Sequence, residues 1–458
     1  MKKVCLLIGL LSLLLTGCDL ITGGGNAGGG GEEPDAASFS FTVAQTAKFP
    51  NLPALQSFIL GQSGSKWLIF GGRTNGFHGF GDASTFPFKK ANKFIYAYDT
   101  QSQQLDSLSL KSLPKQVREQ FESSNMLGTQ VNGMLYVAGG YGEINAGTPD
   151  SAFITHPVLT RLNVDNAIAA IEAQDAARLG SELVFIEDEF FRSTGGELFM
   201  LEDGRFYLAL GHNFEGIYNP SGEGFTQIYL DTVRTFYLKE DENTIALDKN
   251  SILYLSDNKP PAQSQFHRRD LLVTPHIEAG GQAVGLSIFG GVFTPDKGRP
   301  YRNPIYIMGG VTPSFTVDKD FTQRSNIYSA ANVRLYSAKE DKMYTTVLGG
   351  MGDTTVAYND DFTRLVTTLI RDNQGGKTTA LYNKQPLPSY LGSEAIFIPS
   401  GGVTMFRDNY GVIDFDALPE GKILLGYMYG GILSEGPKWS KDNPTVPTNA
   451  VYEVSITK

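Results

Sequence analysis

Cysteine is almost missing from this chain: there are two in 458 residues, Cys5 and Cys18, both within the first 18. Everything beyond residue 18 therefore has no thiol for redox or nucleophilic chemistry and no disulfide, so packing alone must hold the fold. Histidine is scarce too, at five. His276-Ile277-Glu278 puts two polar side chains on one face of a strand, with His267 nearby, but a metal would need a third ligand from elsewhere. No metal site and no cofactor is expected. Positive charge is in deficit, with 38 basic and 48 acidic residues and a net charge of −10; removing the first 17 residues, with Lys2 and Lys3, takes it to −12. That balance argues against a general nucleic-acid binder. The apolar run in residues 4–15 is too short to span a bilayer as a mature helix.

What is abundant is glycine, at 52 residues, and phenylalanine, at 29, within 41% hydrophobic content. This suits many short strands joined by tight turns and not a disordered chain. At the N-terminus, two lysines, an apolar core and Leu15-Thr16-Gly17-Cys18 follow one another. Together they resemble a bacterial lipoprotein signal. The resemblance implies a signal peptide over residues 1–17, lipidation of Cys18 and a lipid membrane as partner. Residues 18–38, rich in glycine, cannot bury enough apolar surface to order themselves and read as a tether. The expected location is the cell envelope, on the periplasmic or surface face of the outer membrane. Asp19 also resembles an inner-membrane retention signal of enteric bacteria, so that membrane stays open.

One phrase recurs along the rest. Lys66-Trp67-Leu68-Ile69-Phe70-Gly71-Gly72 is an apolar run ended by a glycine pair, and Asn92-Lys93-Phe94-Ile95-Tyr96-Ala97-Tyr98-Asp99 alternates at the period of a half-buried strand. Similar runs end at Gly139-Gly140, Gly309-Gly310 and Gly430-Gly431, and a weaker copy ends at Gly211 with His212 where the second glycine should stand. These units resemble Kelch repeats, which implies a β-propeller; a widely spaced, all-strand repeat by itself suggests radial repetition or a solenoid. The fold expected over residues 39–458 is an all-β, six-bladed propeller, with five or seven blades allowed because unit lengths drift. The last unit stops after its third strand, so the alternating segment Phe39-Ser40-Phe41-Thr42-Val43 is expected to complete that blade, since an open ring leaves sheet edges exposed.

The six blades are placed at residues 55–113, from 123 to about 173, 191–247, 276–337, 354–387 and from 393 to the end. The alanine-rich residues 167–179 are helix-compatible, and the fifth unit shows no glycine pair. The glycine pairs are read as structural, because a phosphate cradle needs a following helix that none of them has. Loops between second and third strands should gather on the face that carries the blade-to-blade links: residues 73–91, 141–156, 212–225, 311–325 and 432–448. Arg73, Asn75, His78, Asp82, Tyr141, Glu143, Asn213, Glu215 and Trp439 are the candidate ligand-binding residues there. Arg192, Glu197 and His212 flank the first two strands of one blade and are the candidate catalytic trio, a carboxylate and an imidazole being able to exchange protons near a channel mouth.

Among Kelch-like proteins, the galactose-oxidase type needs a cysteine crosslinked to tyrosine, which the mature chain lacks. The sialic-acid mutarotase type shares six blades, a closing N-terminal strand and export, although no catalytic motif matches residue by residue. The expected function is a monomeric binding platform for a glycan or for an envelope or extracellular protein, with a mutarotase-type enzyme as the alternative.

Overall fold

In the computed structural model, the described residues are 39–77, 87–217, 224–296, 298–352, 362–438 and 444–458. The signal, Cys18 and the tether lie outside them, as do His78, Asp82 and Trp439. Alternation of period two along short apolar segments builds the six antiparallel four-stranded blades of a β-propeller, five of them separate sheets and one, blade 5, extended by two further strands into a six-stranded sheet. From the inner to the outer strand, blade 1 is Ile59–Ser63, Lys66–Phe70, Phe94–Asp99 and Leu105–Ser109. Blade 2 is Leu127–Val131, Met134–Ala138, Val158–Asn163 and Val184–Glu187; blade 3 is Glu197–Met200, Phe206–Ala209, Val233–Phe236 and Leu253–Leu255. Blade 4 is Leu272–Ile277, Val284–Phe289, Ile305–Met308 and Ser314–Val317; blade 5 is Asn332–Ser337, Lys342–Leu348, Val366–Asp372 and Lys377–Tyr382. Blade 6 is Ile396–Pro399, Lys422–Tyr429, Val451–Thr457 and the N-terminal strand Ser40–Thr46.

The ring closes as the truncated last unit requires. Ser40–Thr46 pairs antiparallel with Val451–Thr457, placing Phe41 opposite Ile456 and Val43 opposite Val454. Phe39 packs edge-on against Tyr344 and Phe415, 5.6 and 5.5 Å between centroids, and Asn383 of blade 5 bonds both backbone groups of Phe41. The closing strand is thus held by two blades.

The glycine pairs stitch neighbouring blades. The second glycine's N–H donates to a carbonyl ahead of the next inner strand: Gly72 to Ser123 at 2.8 Å, Gly140 to Ser193 at 3.0 Å, Gly211 to Arg268 at 3.1 Å, Gly350 to Leu391 at 2.9 Å and Gly431 to Leu55 at 2.8 Å. Gly139 shows why glycine is required: its φ is +63°, and a Cβ there would lie 1.9 Å from the Ser193 carbonyl oxygen.

Three sequence expectations are corrected by the same pattern. Gly309-Gly310 ends a third strand, and the Gly309 N–H bonds Glu278 at the far face; the pair that ends the second strand of blade 4 is Gly290-Gly291. Blade 5 therefore begins at Asn332 and keeps its pair as Gly349-Gly350, both at positive φ. In blade 3, Leu210 at φ +61° occupies the first glycine position and Gly211 the second, so His212 is the residue after the pair. An unusual left-handed leucine disguised the phase.

Two additions matter below. The alanine-rich stretch forms Val164–Glu172 and Ala176–Ser181; the first buries Val164, Ala167, Ile168 and Ile171, at helical spacing, over blade 1. Between the inner and second strands of blade 6, residues 400–421 fold back onto blade 5, where Val412–Asp414 pairs in parallel with Asn332–Ser337. Asn409 of this segment bonds Asn132 of blade 2, and Arg407 pairs with Glu202 of blade 3, so the segment crosses the far end of the axial channel. No helix of the described residues is long and apolar enough to cross a membrane.

Candidate functional site

Each inner strand is preceded by one residue in the left-handed region: Ser57 (φ +56°), Asn125 (+52°), Gly195 (+63°), Asp270 (+49°), Ser329 (+32°) and Glu394 (+57°). Five are not glycine, a conformation that costs on the order of 1–3 kcal/mol each and clusters at functional sites. The residue ahead of each joins the residue that follows a glycine pair: Gln56 with Arg73, Ser124 with Tyr141, Thr194 with His212, Arg269 with Val292, and Tyr328 with Met351 as isolated bridges, and Ser393 with Ile432 through a 2.9 Å hydrogen bond. The blade repeat thereby projects a collar of polar side chains around the axis on the loop face.

Above the collar is a vestibule of about 170 Å³. Phe77, Tyr141, Phe214, Phe293 and Tyr328 supply aromatic wall, and Arg73, His212, Arg269, Asp270 and Glu394 supply charge or proton-exchanging groups. Arg269 is ion-paired with Asp270, its Nε donates to the Tyr229 hydroxyl at 3.2 Å, and its guanidinium lies 5.5 Å from the Phe293 centroid. Burial works against its charge, but Asp270 and Tyr229 hold it more firmly protonated than usual. Arg73, 3% exposed, donates to Asn75 Oδ1 at 3.1 Å and to the Pro87 carbonyl at 2.9 Å; burial lowers it to about 10, so it stays charged at neutral pH.

Glu394 lines the vestibule and the space beneath it. Burial and the nearby Asp270 charge raise its carboxyl to about 8, against hydrogen bonds from Ser57 and Asn125. Asn125 Nδ2 reaches both carboxyl oxygens, at 3.4 and 3.5 Å. Burial, assisted by Arg269, keeps His212 neutral. Its Nδ1 lies 2.7 Å from Gln227 Nε2, which as donor leaves the ring proton on Nε2.

Below the collar the channel widens to a chamber of about 380 Å³. Glu197 and Arg334 face it from the inner strands of blades 3 and 5. Burial raises Glu197 to about 8 although Arg334 favours its charge.

The structure separates the expected catalytic trio. His212 lines the vestibule and Glu197 the chamber, whereas Arg192 lines neither and donates to Glu189 and to the Thr155 carbonyl. Arg73 and Tyr141 reach the vestibule, and Asn75 orients Arg73. Glu143, Asn213 and Glu215 sit on neighbouring hairpins: Ser151 donates to Glu143, and Asn213 Nδ2 lies 3.5 Å from Glu215 Oε1. Residues 311–325 hold the outer strand of blade 4 and are not a loop between second and third strands; residues 292–304 take that place. Gln56, Asn125, Arg269, Asp270, Tyr328 and Glu394 were not singled out from the sequence. Their signal is positional, a polar residue two to four places ahead of every inner strand, and it needs the correct blade phase. Among the described residues no cluster of three His, Cys, Asp or Glu could hold a metal ion.

No protein-family description and no curated protein matches this chain. Among solved structures, that of YjhT is similar over 90% of this chain and 100% of its own length, at 11% identity and a TM-score of 0.47.

Proposed function

We propose that the loop face is a binding platform whose axial vestibule takes a glycan, on a chain of Kelch type held at the bacterial envelope by a lipid on Cys18. The observation that supports this most is the convergence of all six blades on one concave, aromatic and hydrogen-bonding cavity. Sugars offer hydroxyls to fixed donors and acceptors, here Gln56, Asn125, Arg269 and Gln227, and flat C–H faces to rings such as Phe293 and Tyr141. A protein ligand would instead engage the three hairpins around the rim, Tyr141–Ile144 with Ala152–Thr155, His212–Gly216 with Phe225–Tyr229, and Ile432–Ser434 with Thr445–Pro447.

A glycan array probed with the full chain tests the reading. Retention of a defined glycan class, reduced at least tenfold by Gln227→Ala, is the expected result. No retention of any glycan would sink it. The enzymatic alternative, a sugar mutarotase, would draw on Glu394 and His212 for proton exchange. NMR of anomer exchange across a sugar panel distinguishes it, because a binding platform leaves the exchange rate unchanged.

A further inference from the structure

The chamber beneath the collar holds a guanidinium and a carboxyl that do not meet. Arg334 is fixed in place: its Nε donates to Asn332 Oδ1 at 3.0 Å and its Nη1 to the Tyr410 carbonyl at 2.6 Å. Its Nη2 makes no hydrogen bond among the described residues. Glu197 makes neither a side-chain hydrogen bond nor an ion pair among them. Both side chains border the same space, and each acts on the other's protonation through that space without contact.

Unpartnered charges inside a protein are expensive, and a fixed cation facing a carboxyl across a gap is an arrangement that something inserted between them would complete. The segment that fixes Arg334 also crosses the far end of the channel, and Phe58 and Phe199 add apolar wall. A simple carboxylate would satisfy Arg334 and leave Glu197 alone. A simple amine would satisfy Glu197 and be repelled by Arg334. An uncharged sugar would pair with neither charge.

We propose that this chamber is a binding site for a small zwitterion, a molecule with an ammonium group and a carboxylate a few bonds apart, such as a free α-amino acid. The ligand carboxylate is held by Arg334 and the ammonium by Glu197, with the side chain against the aromatic wall. Asn125 and Glu394, which border both spaces, are the threshold between this site and the vestibule. The site is separate from the glycan reading and stands or falls without it.

Calorimetric titration of the full chain with single α-amino acids, their N-acetyl derivatives and the corresponding decarboxylated amines tests the proposal. At least one amino acid should bind saturably, and both of its one-charge analogues at least tenfold more weakly. Glu197→Gln and Arg334→Gln should each weaken binding tenfold or more while glycan retention is unchanged. Should Arg334→Gln fail to fold, Glu197→Gln and the analogue series decide alone. No binding by any amino acid, equal binding of a one-charge analogue, or full affinity in Glu197→Gln would each overturn it.

Discussion

The two spaces on the propeller axis treat charge in opposite ways. In the vestibule Arg269 is paired with Asp270, Arg73 is bonded to Asn75 and Pro87, and His212 is held by Gln227. Beneath the collar, Glu197 and Arg334 remain apart. The difference teaches that the vestibule is organised in advance, with donors fixed before any ligand arrives, whereas the chamber's electrostatics are incomplete.

The largest effect that would break this comparison comes from removing one partner of the vestibule pair. Asp270→Asn leaves Arg269 without its counter-charge, with the two side chains only 7% and 15% exposed. A loss of about 3–5 kcal/mol is expected in denaturant unfolding, whereas Glu197→Gln in the chamber, where no contact is lost, should not lower stability at neutral pH. Equal losses would show that the two spaces are not electrostatically different.

The pH dependence should also differ in sign. Glu197 and Glu394 are raised from 4.5 to about 8 in the fold, so between those values the folded chain holds more protons than the unfolded one. Their contribution to stability is complete below pH 4.5 and is lost as pH rises through 8, at up to about 1.4 kcal/mol per pH unit per proton. The doubly substituted Glu197→Gln/Glu394→Gln chain should flatten the thermal midpoint over that window. His212 at the vestibule and His156 near it are lowered by burial from 6.5, His156 to about 3, so their contribution is lost on the acid side, as pH falls below 6.5. His156→Gln should blunt that acid loss.

A smaller effect sharpens the role of the collar. Asn125 at φ +52° should tolerate glycine better than alanine, by about 0.5–1 kcal/mol in denaturant unfolding, because glycine relieves the left-handed strain while both lose the bond to Glu394. If alanine were the better of the two, the collar backbone would not be strained.

The fold was legible wherever a unit kept both of its signals. Blades 1, 2 and 6 show an apolar second strand, a glycine pair and an alternating third strand, and they appear where those signals stand. Blades 4 and 5 were misphased because Ile305–Met308 with Gly309-Gly310 copies the phrase of a second strand at the opposite end of a third one. The site was harder to read. Arg73 and Tyr141 directly follow visible glycine pairs, and they reach the vestibule. Asp270 and Glu394 lie ahead of inner strands and look like ordinary polar turn residues until six such turns are set around one axis. Arg192 is near His212 in sequence, but its side chain runs to the Thr155 carbonyl of blade 2.

Local chemistry therefore determined the strands, the glycine-ended turns and the need for the N-terminal segment to complete the last blade, because alternation, backbone freedom and unpaired edges are properties of neighbouring residues. Only the tertiary structure decided which polar residues share a space and which charges find partners. Arg269 with Asp270 and Glu197 opposite Arg334 show the contrast: the first pair is adjacent in the chain, whereas the second is brought together from blades 3 and 5 by ring closure. Burial and distance, which set the cost of a charge, exist only once the ring has closed.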